Sequence, residues 1–201
     1  MRYLLFIIVN FLFVLNVSAQ EETLFTGDME SGGFGAPVVK YTSIYGQNTL
    51  IVGGRGGWII NHSFVIGGGG YGVVTEVDAP EGIFPMEEPL DLHFGYGGFE
   101  LEYIFNPKAL GHFSAYILIG GGSTNFAMDL GHYNENNQMI GNDDFVFVLE
   151  PEVNGELNIT DWFHLNGGVS YRFVSGVDQA KLDDSDFSGV SGVLTFKFGS
   201  F

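Results

Sequence analysis

Residues Phe145–Ile159 read Phe-Val-Phe-Val-Leu-Glu-Pro-Glu-Val-Asn-Gly-Glu-Leu-Asn-Ile. Phe145, Phe147, Leu149, Val153, Leu157 and Ile159 are apolar, while Glu150, Glu152, Asn154, Glu156 and Asn158 are polar. A period of two is that of a β-strand, whose successive side chains leave opposite faces. This strand therefore has one oily face and one wet face. In a soluble sandwich the oily face is the core and the wet face meets water. In a barrel that crosses a membrane the oily face meets lipid and the wet face lines the lumen.

Working outward from that strand, the sequence predicts eight strands: Pro37–Tyr45, Thr49–Ile60, Phe64–Glu76, Leu90–Phe105, Phe113–Asn125, Phe145–Ile159, Phe163–Val174 and Gly189–Phe198. Most reach the roughly 9–11 residues that a tilted strand needs to cross hydrocarbon. The connections Asn61–Ser63, Asn106–Gly111 and Thr160–Trp162 are short, whereas Val77–Pro89, Phe126–Asp144 and Ser175–Ser188 are long. Only the first turn, Gly46-Gln47-Asn48, breaks the alternation. Short turns at one end and long loops at the other suit a membrane barrel, and a sandwich has no reason to sort its loops in this way.

The N-terminus points to the same compartment. Arg2 precedes an almost wholly apolar run, Tyr3–Val14, and Val17-Ser18-Ala19 offers a small-residue cleavage site. This is the pattern of a secretory signal spanning 1–19, and the run is too short to anchor the chain as a membrane helix. A lead-in over 20–36 and a single barrel domain over 37–201 are expected to follow. The chain has no Cys, which excludes acylation as a lipoprotein. With 20 Phe and 31 Gly in 201 residues it is too rich in both for an ordinary soluble domain. A net charge of −17 argues against a nucleic-acid partner, which needs a basic face.

The acidic residues collect in the long loops, and the few cations do not. Lys40, Arg55, Arg172 and Lys197 each fall inside a predicted strand, on the polar parity. Glu100, Glu102, Glu150, Glu152 and Glu156 occupy the same face, so all nine are expected to share one narrow lumen. An eight-stranded barrel is just wide enough for side chains to fill, so these charges should pair into a plug. A thin water or proton path, with the excess of acid favouring cations, is the alternative. In the fourth strand the apolar parity slips near Gly97-Gly98, which reads as a β-bulge. Trp58, Trp162, Phe163, Phe105 and Phe113 cluster toward the short-turn end as an interfacial girdle. Tyr41, Tyr45, Tyr96 and Phe145 serve the other end or the wall.

Strand count, loop alternation, signal and the final strand Val190–Phe198 resemble the small eight-stranded outer-membrane proteins of Gram-negative bacteria, such as OmpX, OmpW and the membrane domain of OmpA. The glycine-rich segments Gly53–Trp58 and Gly67–Gly72 resemble those of small barrels of a Bacteroidetes type, a likeness that brings no activity. The resemblance implies a closed antiparallel up-and-down transmembrane β-barrel in the outer membrane, monomeric and without a cofactor. Its partners would be outer-membrane lipid, lipopolysaccharide and the barrel-assembly machinery, which in such proteins reads a terminal aromatic residue. Phe201 is last here, but the alternating aromatic signal ends at Phe198.

Catalytic and metal motifs are weak. Gly67-x-Gly69-x-x-Gly72 fits a dinucleotide fingerprint by letter, but Val73–Glu76 continues as strand, leaving no helix N-terminus for a pyrophosphate. His112-x-Ser114 resembles the His/Ser pair of the lipid A deacylase PagL. No carboxylate follows at a spacing that would orient the base, and both residues fall at the short-turn end. Asp184-x-Asp186-x-Ser188-Gly189 opens like a calcium loop, yet Thr195 stands where a bidentate Glu is needed. A weak divalent-cation site at Asp183, Asp184 and Asp186 is what remains of that signal. His62, His93, His132 and His164 share no metal-ligand spacing. The expected role is structural or surface-interacting and non-enzymatic, with a narrow channel and a lipid A-modifying enzyme as alternatives.

Overall fold

A computed structural model describes residues 29–80, 90–128, 139–179 and 181–201. The expected signal, and the lead-in as far as residue 28, lie outside the described residues. Eight strands follow one another: β1 (Ser31–Ile44), β2 (Gln47–Ile60), β3 (Phe64–Val73), β4 (Leu90–Phe105), β5 (Gly111–Met128), β6 (Met139–Thr160), β7 (Phe163–Ser175) and β8 (Gly189–Ser200). Each pairs antiparallel with the next, and β8 returns to β1, so the sheet closes into an up-and-down barrel. Closure leaves no strand edge unpaired. A single helical turn, α1 (Asp184–Phe187), interrupts the β7–β8 connection.

β1 begins at Ser31 rather than Pro37, and Ser31–Ala36 pair with Arg55–Ile60 of β2. The glycines Gly32, Gly33 and Gly35 hide this stretch from an alternation reading, because they give neither parity an apolar side chain. The one tight turn at the long-loop end is Tyr45-Gly46, with φ of 48° and 70°. Two positive φ angles make a two-residue hairpin whose twist matches its strands, so no longer loop is required there.

Alternation holds around the wall. Trp58, Phe105, Phe113, Trp162 and Phe198 point outward near the short-turn end, and Phe145, Phe147, Tyr171 and Phe173 point outward higher up. Pro151 has no N–H to donate, and the β6–β7 ladder is interrupted between Leu149↔Phe173 and Glu152↔Ser170.

The expected bulge at Gly97-Gly98 is absent. β4 keeps an unbroken register with β3 and with β5 through both glycines. Its even positions point inward throughout, so Leu92, Phe94 and Tyr96 line the lumen together with Glu100 and Glu102. The parity never slips; the lumen changes from apolar to ionic part-way down the strand. The register shifts that do occur lie at Thr124/Phe126 and at Asn158/Thr160.

Candidate functional site: a three-layered lumen

The inward side chains form three layers. Nearest the long loops is an apolar layer that includes Ile44, Ile51, Leu92, Phe94, Leu118, Phe126, Val146, Val148 and Val174. Loop residues fold down into it: Val77 from the β3–β4 connection, and Leu182 and Phe187 from the β7–β8 connection. Phe187 packs against Phe94 with ring centroids 5.2 Å apart.

Below it runs an ionic ladder. The Lys40 ammonium lies 2.8 Å from Glu150 Oε2, and Tyr96 and Ser170 donate hydroxyl protons to the same carboxylate. Arg55 bridges two acids, donating from Nε to Glu100 and from Nη2 to Glu102, each at 2.9 Å. Lys197 bridges the next two, 2.8 Å from both Glu102 and Glu156. Tyr71 and Tyr116 donate to Glu100 Oε1, and Arg55 lies 4.1 Å above the Tyr116 ring. Each bridging cation is shared by two carboxylates, and hydroxyl and amide donors supply further hydrogen bonds, so pairing and hydrogen bonding together offset the desolvation of the carboxylates.

Two glycines make room for this layer. A Cβ on Gly69 would stand 2.3 Å from Glu100 Oε1, and one on Gly168 would stand 2.0 Å from Asn154 Oδ1. Rejecting the dinucleotide reading of Gly67–Gly72 did not single out Gly69 as a socket for a carboxylate. The signal was present in the parity, since Gly69 alternates with the inward Tyr71.

A second, smaller apolar cluster of Phe34, Ala36, Ile59, Val65 and Ile104 closes the short-turn end, with Phe201 packed against it. The Phe201 ring lies on His164, centroids 3.6 Å apart, and His164 Nδ1 is 2.8 Å from Glu156 Oε1. His112, His164, Glu156 and Phe201 help line a cavity of about 400 Å³ at this mouth. On the rim outside the wall, the Glu30 carboxyl is held below its ordinary range, chiefly by the hydrogen bond and charge of His62 and then by Lys108.

Of the nine residues expected in the lumen network, all are buried inside the barrel. Lys40, Arg55, Lys197, Glu100, Glu102, Glu150 and Glu156 are joined as described. Glu152 takes a hydrogen bond from the Asn154 amide and forms no ion pair among the described residues. Arg172 also stands apart: its Nε donates to the Phe187 carbonyl at 2.7 Å, and Nη1 and Nη2 have no partner in hydrogen-bonding geometry among the described residues. Among the described residues, neither it nor Glu152 joins the ion pairs of the ladder. Arg172 sits one layer up, among the rings of Phe94 and Tyr96.

The acidic triplet is used locally. Asp184 Oδ1 accepts the N–H groups of Gly176 and Val177, Asp186 Oδ2 accepts that of Asp183, and Asp183 caps α1 reciprocally. No grouping of His, Cys, Asp or Glu able to hold a metal ion occurs among the described residues. Ser114 is 0% exposed, its hydroxyl has no hydrogen-bond partner, and the neighbouring His112 Nδ1 bonds the Ala109 carbonyl. A serine sealed inside the lumen does not face lipid.

No family model and no curated protein matches the chain. Among solved structures it is similar to Neisserial surface protein A, at 12% identity over 87% of this chain and 99% of that one, with a TM-score of 0.51. It is also similar to the N-terminal β-barrel domain of Pseudomonas aeruginosa OprF, at 9% identity over 85% and 99%, TM-score 0.47. A third likeness is to Ail, the attachment invasion locus protein of Yersinia pestis, at 15% identity over 87% and 97%, TM-score 0.43. At such identities the likeness is one of fold: the chain is a closed eight-stranded antiparallel barrel of the kind found among small outer-membrane proteins.

Proposed function

We propose that this chain is a monomeric integral outer-membrane protein with a sealed lumen, acting through its lipid-facing wall and its long acidic loops rather than by conduction or catalysis. The observation that carries this reading is the layering itself. An ion-paired ladder lies between two apolar stoppers, one built from the long loops and one closed by Phe201. Water crossing the barrel would have to pass both stoppers and break bridged ion pairs. The outward aromatics and aliphatics suit a wall facing lipid and, at the loop end, lipopolysaccharide. Phe198, outward and stacked with Phe163 and Trp162, offers the exposed terminal aromatic that assembly machinery would read. A cleaved signal over 1–19 would deliver the short turns to the periplasm and the long loops to the cell exterior.

Planar-bilayer recording tests the reading: purified barrel is expected to give no unitary conductance, and steps that disappear in Glu152→Gln would replace the plug with a cation path. That second reading has one observation in its favour, the absence of an ion pair at Glu152. Unchanged lipid A in cells overproducing the protein is expected, because the only His/Ser pair weighed for that chemistry lies inside the barrel.

A further inference from the structure

We propose that Arg172 anchors a binding site for a small carboxylate, buried in the apolar layer beneath the β7–β8 connection. The guanidinium is 0% exposed, and its Nε donates to the Phe187 carbonyl. The N–H groups on Nη1 and Nη2 meet no acceptor in hydrogen-bonding geometry among the described residues. Rings flank it, with Phe94 centred 5.5 Å and Tyr96 5.7 Å from Cζ.

Among the described residues no acid forms an ion pair with Arg172, and Glu152, the next inward acid on β6, accepts the Asn154 amide. Glu150 is held by Lys40, Tyr96 and Ser170. Asp184 and Asp186 turn away to backbone N–H groups of their own loop. A buried guanidinium stays charged, and a desolvated charge without a counter-charge is unfavourable. What it lacks is specified by its shape. The free fork presents parallel N–H groups in one plane, which match the two oxygens of a carboxylate. A single negative charge neutralises the site, whereas a tetrahedral dianion would leave net charge in an apolar layer, and a halide offers one acceptor centre where a carboxylate offers two.

The cover over the site is α1 and its flanks, held by Tyr45 N–H on the Asp186 carbonyl and by Val174 N–H on Ser188 Oγ. Acidic residues such as Asp178 and Asp183 at the same end repel anions, so the ligand is captured during folding and exchanges slowly afterwards. This inference goes beyond the sealed-lumen reading, and a conducting wild-type barrel would leave it standing.

The test uses the full chain refolded into detergent micelles in sodium formate or, at equal ionic strength, in sodium chloride. The readout is the midpoint of the heat-modifiable gel shift. Formate is expected to raise the midpoint by about 2–4 °C or more. Arg172→Met should remove the difference. Val174→Glu, which supplies a carboxylate from the next inward position on β7, should make the midpoint indifferent to formate and keeps the test decisive if Arg172→Met does not fold. Equal wild-type midpoints in the two salts, or a formate gain that survives in either variant, would mean that water alone satisfies Arg172 and would overturn the proposal.

Discussion

The ionic and apolar layers of the lumen differ although the same strands build both. On β6 the inward positions read Val146 and Val148, then Glu150, Glu152, Asn154 and Glu156, without a change of parity. In the apolar layer, burial favours many arrangements of Val, Leu and Phe almost equally. In the ladder, Arg55 and Lys197 each need two particular carboxylates, so one register satisfies them and a slip by a residue would carry every charge into lipid. The upper layer thus supplies burial, and the lower one selects the pairing that closes the barrel.

That contrast is open to attack by substitution. The largest effect is expected from Lys197→Met, which strips the shared cation from Glu102 and Glu156 and should cost about 3–5 kcal/mol in denaturant unfolding from micelles. A loss near zero would mean that water, not the cation, already satisfies the ladder. Phe187→Ala acts in the other layer, deleting a fully buried ring, and is expected to cost about 3 kcal/mol. It should also make the exposed Lys181 susceptible to trypsin in the folded barrel, which separates loosening of the cover from loss of the whole fold.

The wall gives a smaller effect. Gly98 faces inward, and a Cβ there would stand 2.4 Å from the Ile119 carbonyl oxygen and 2.6 Å from Gly120 Cα. Gly98→Ala should therefore cost about 1–3 kcal/mol, whereas Gly70→Ala, which points into open space, should stay within about 0.5 kcal/mol.

The smallest effect lies at the rim. Because His62 depresses the Glu30 carboxyl, the interaction is fully present above the ordinary carboxylate pKa and is lost as pH falls through the lower folded value. Midpoints of wild type and Glu30→Gln should converge below about pH 4 and differ slightly above it. A difference that grows on acidification would reverse the assignment.

The sequence made the wall legible because an outward aromatic or aliphatic residue recurs between inward polar ones. Where glycine occupies both parities, as in Ser31–Gly35, the pattern is blank and the first strand is read too short. Where the apolar residues change face along one strand, as from the inward Leu92, Phe94 and Tyr96 to the outward Phe99 and Leu101, alternation cannot tell the lumen from the outer wall, and a change of layer imitates a bulge. The ladder residues were identifiable singly, since a charge within a lipid-crossing strand has only one tolerable direction. Their pairing was not, because Lys40 and Glu150 are brought together only by closure of the barrel. Glu152 and Arg172 illustrate that limit: each points where parity requires, and neither finds the partner that counting charges suggests.

The Phe201 side chain is itself the cork of the short-turn mouth, seated on His164, so whatever is attached behind it bears on the seal. An affinity tag or reporter fused after Phe201 must thread past that cork or pull it out.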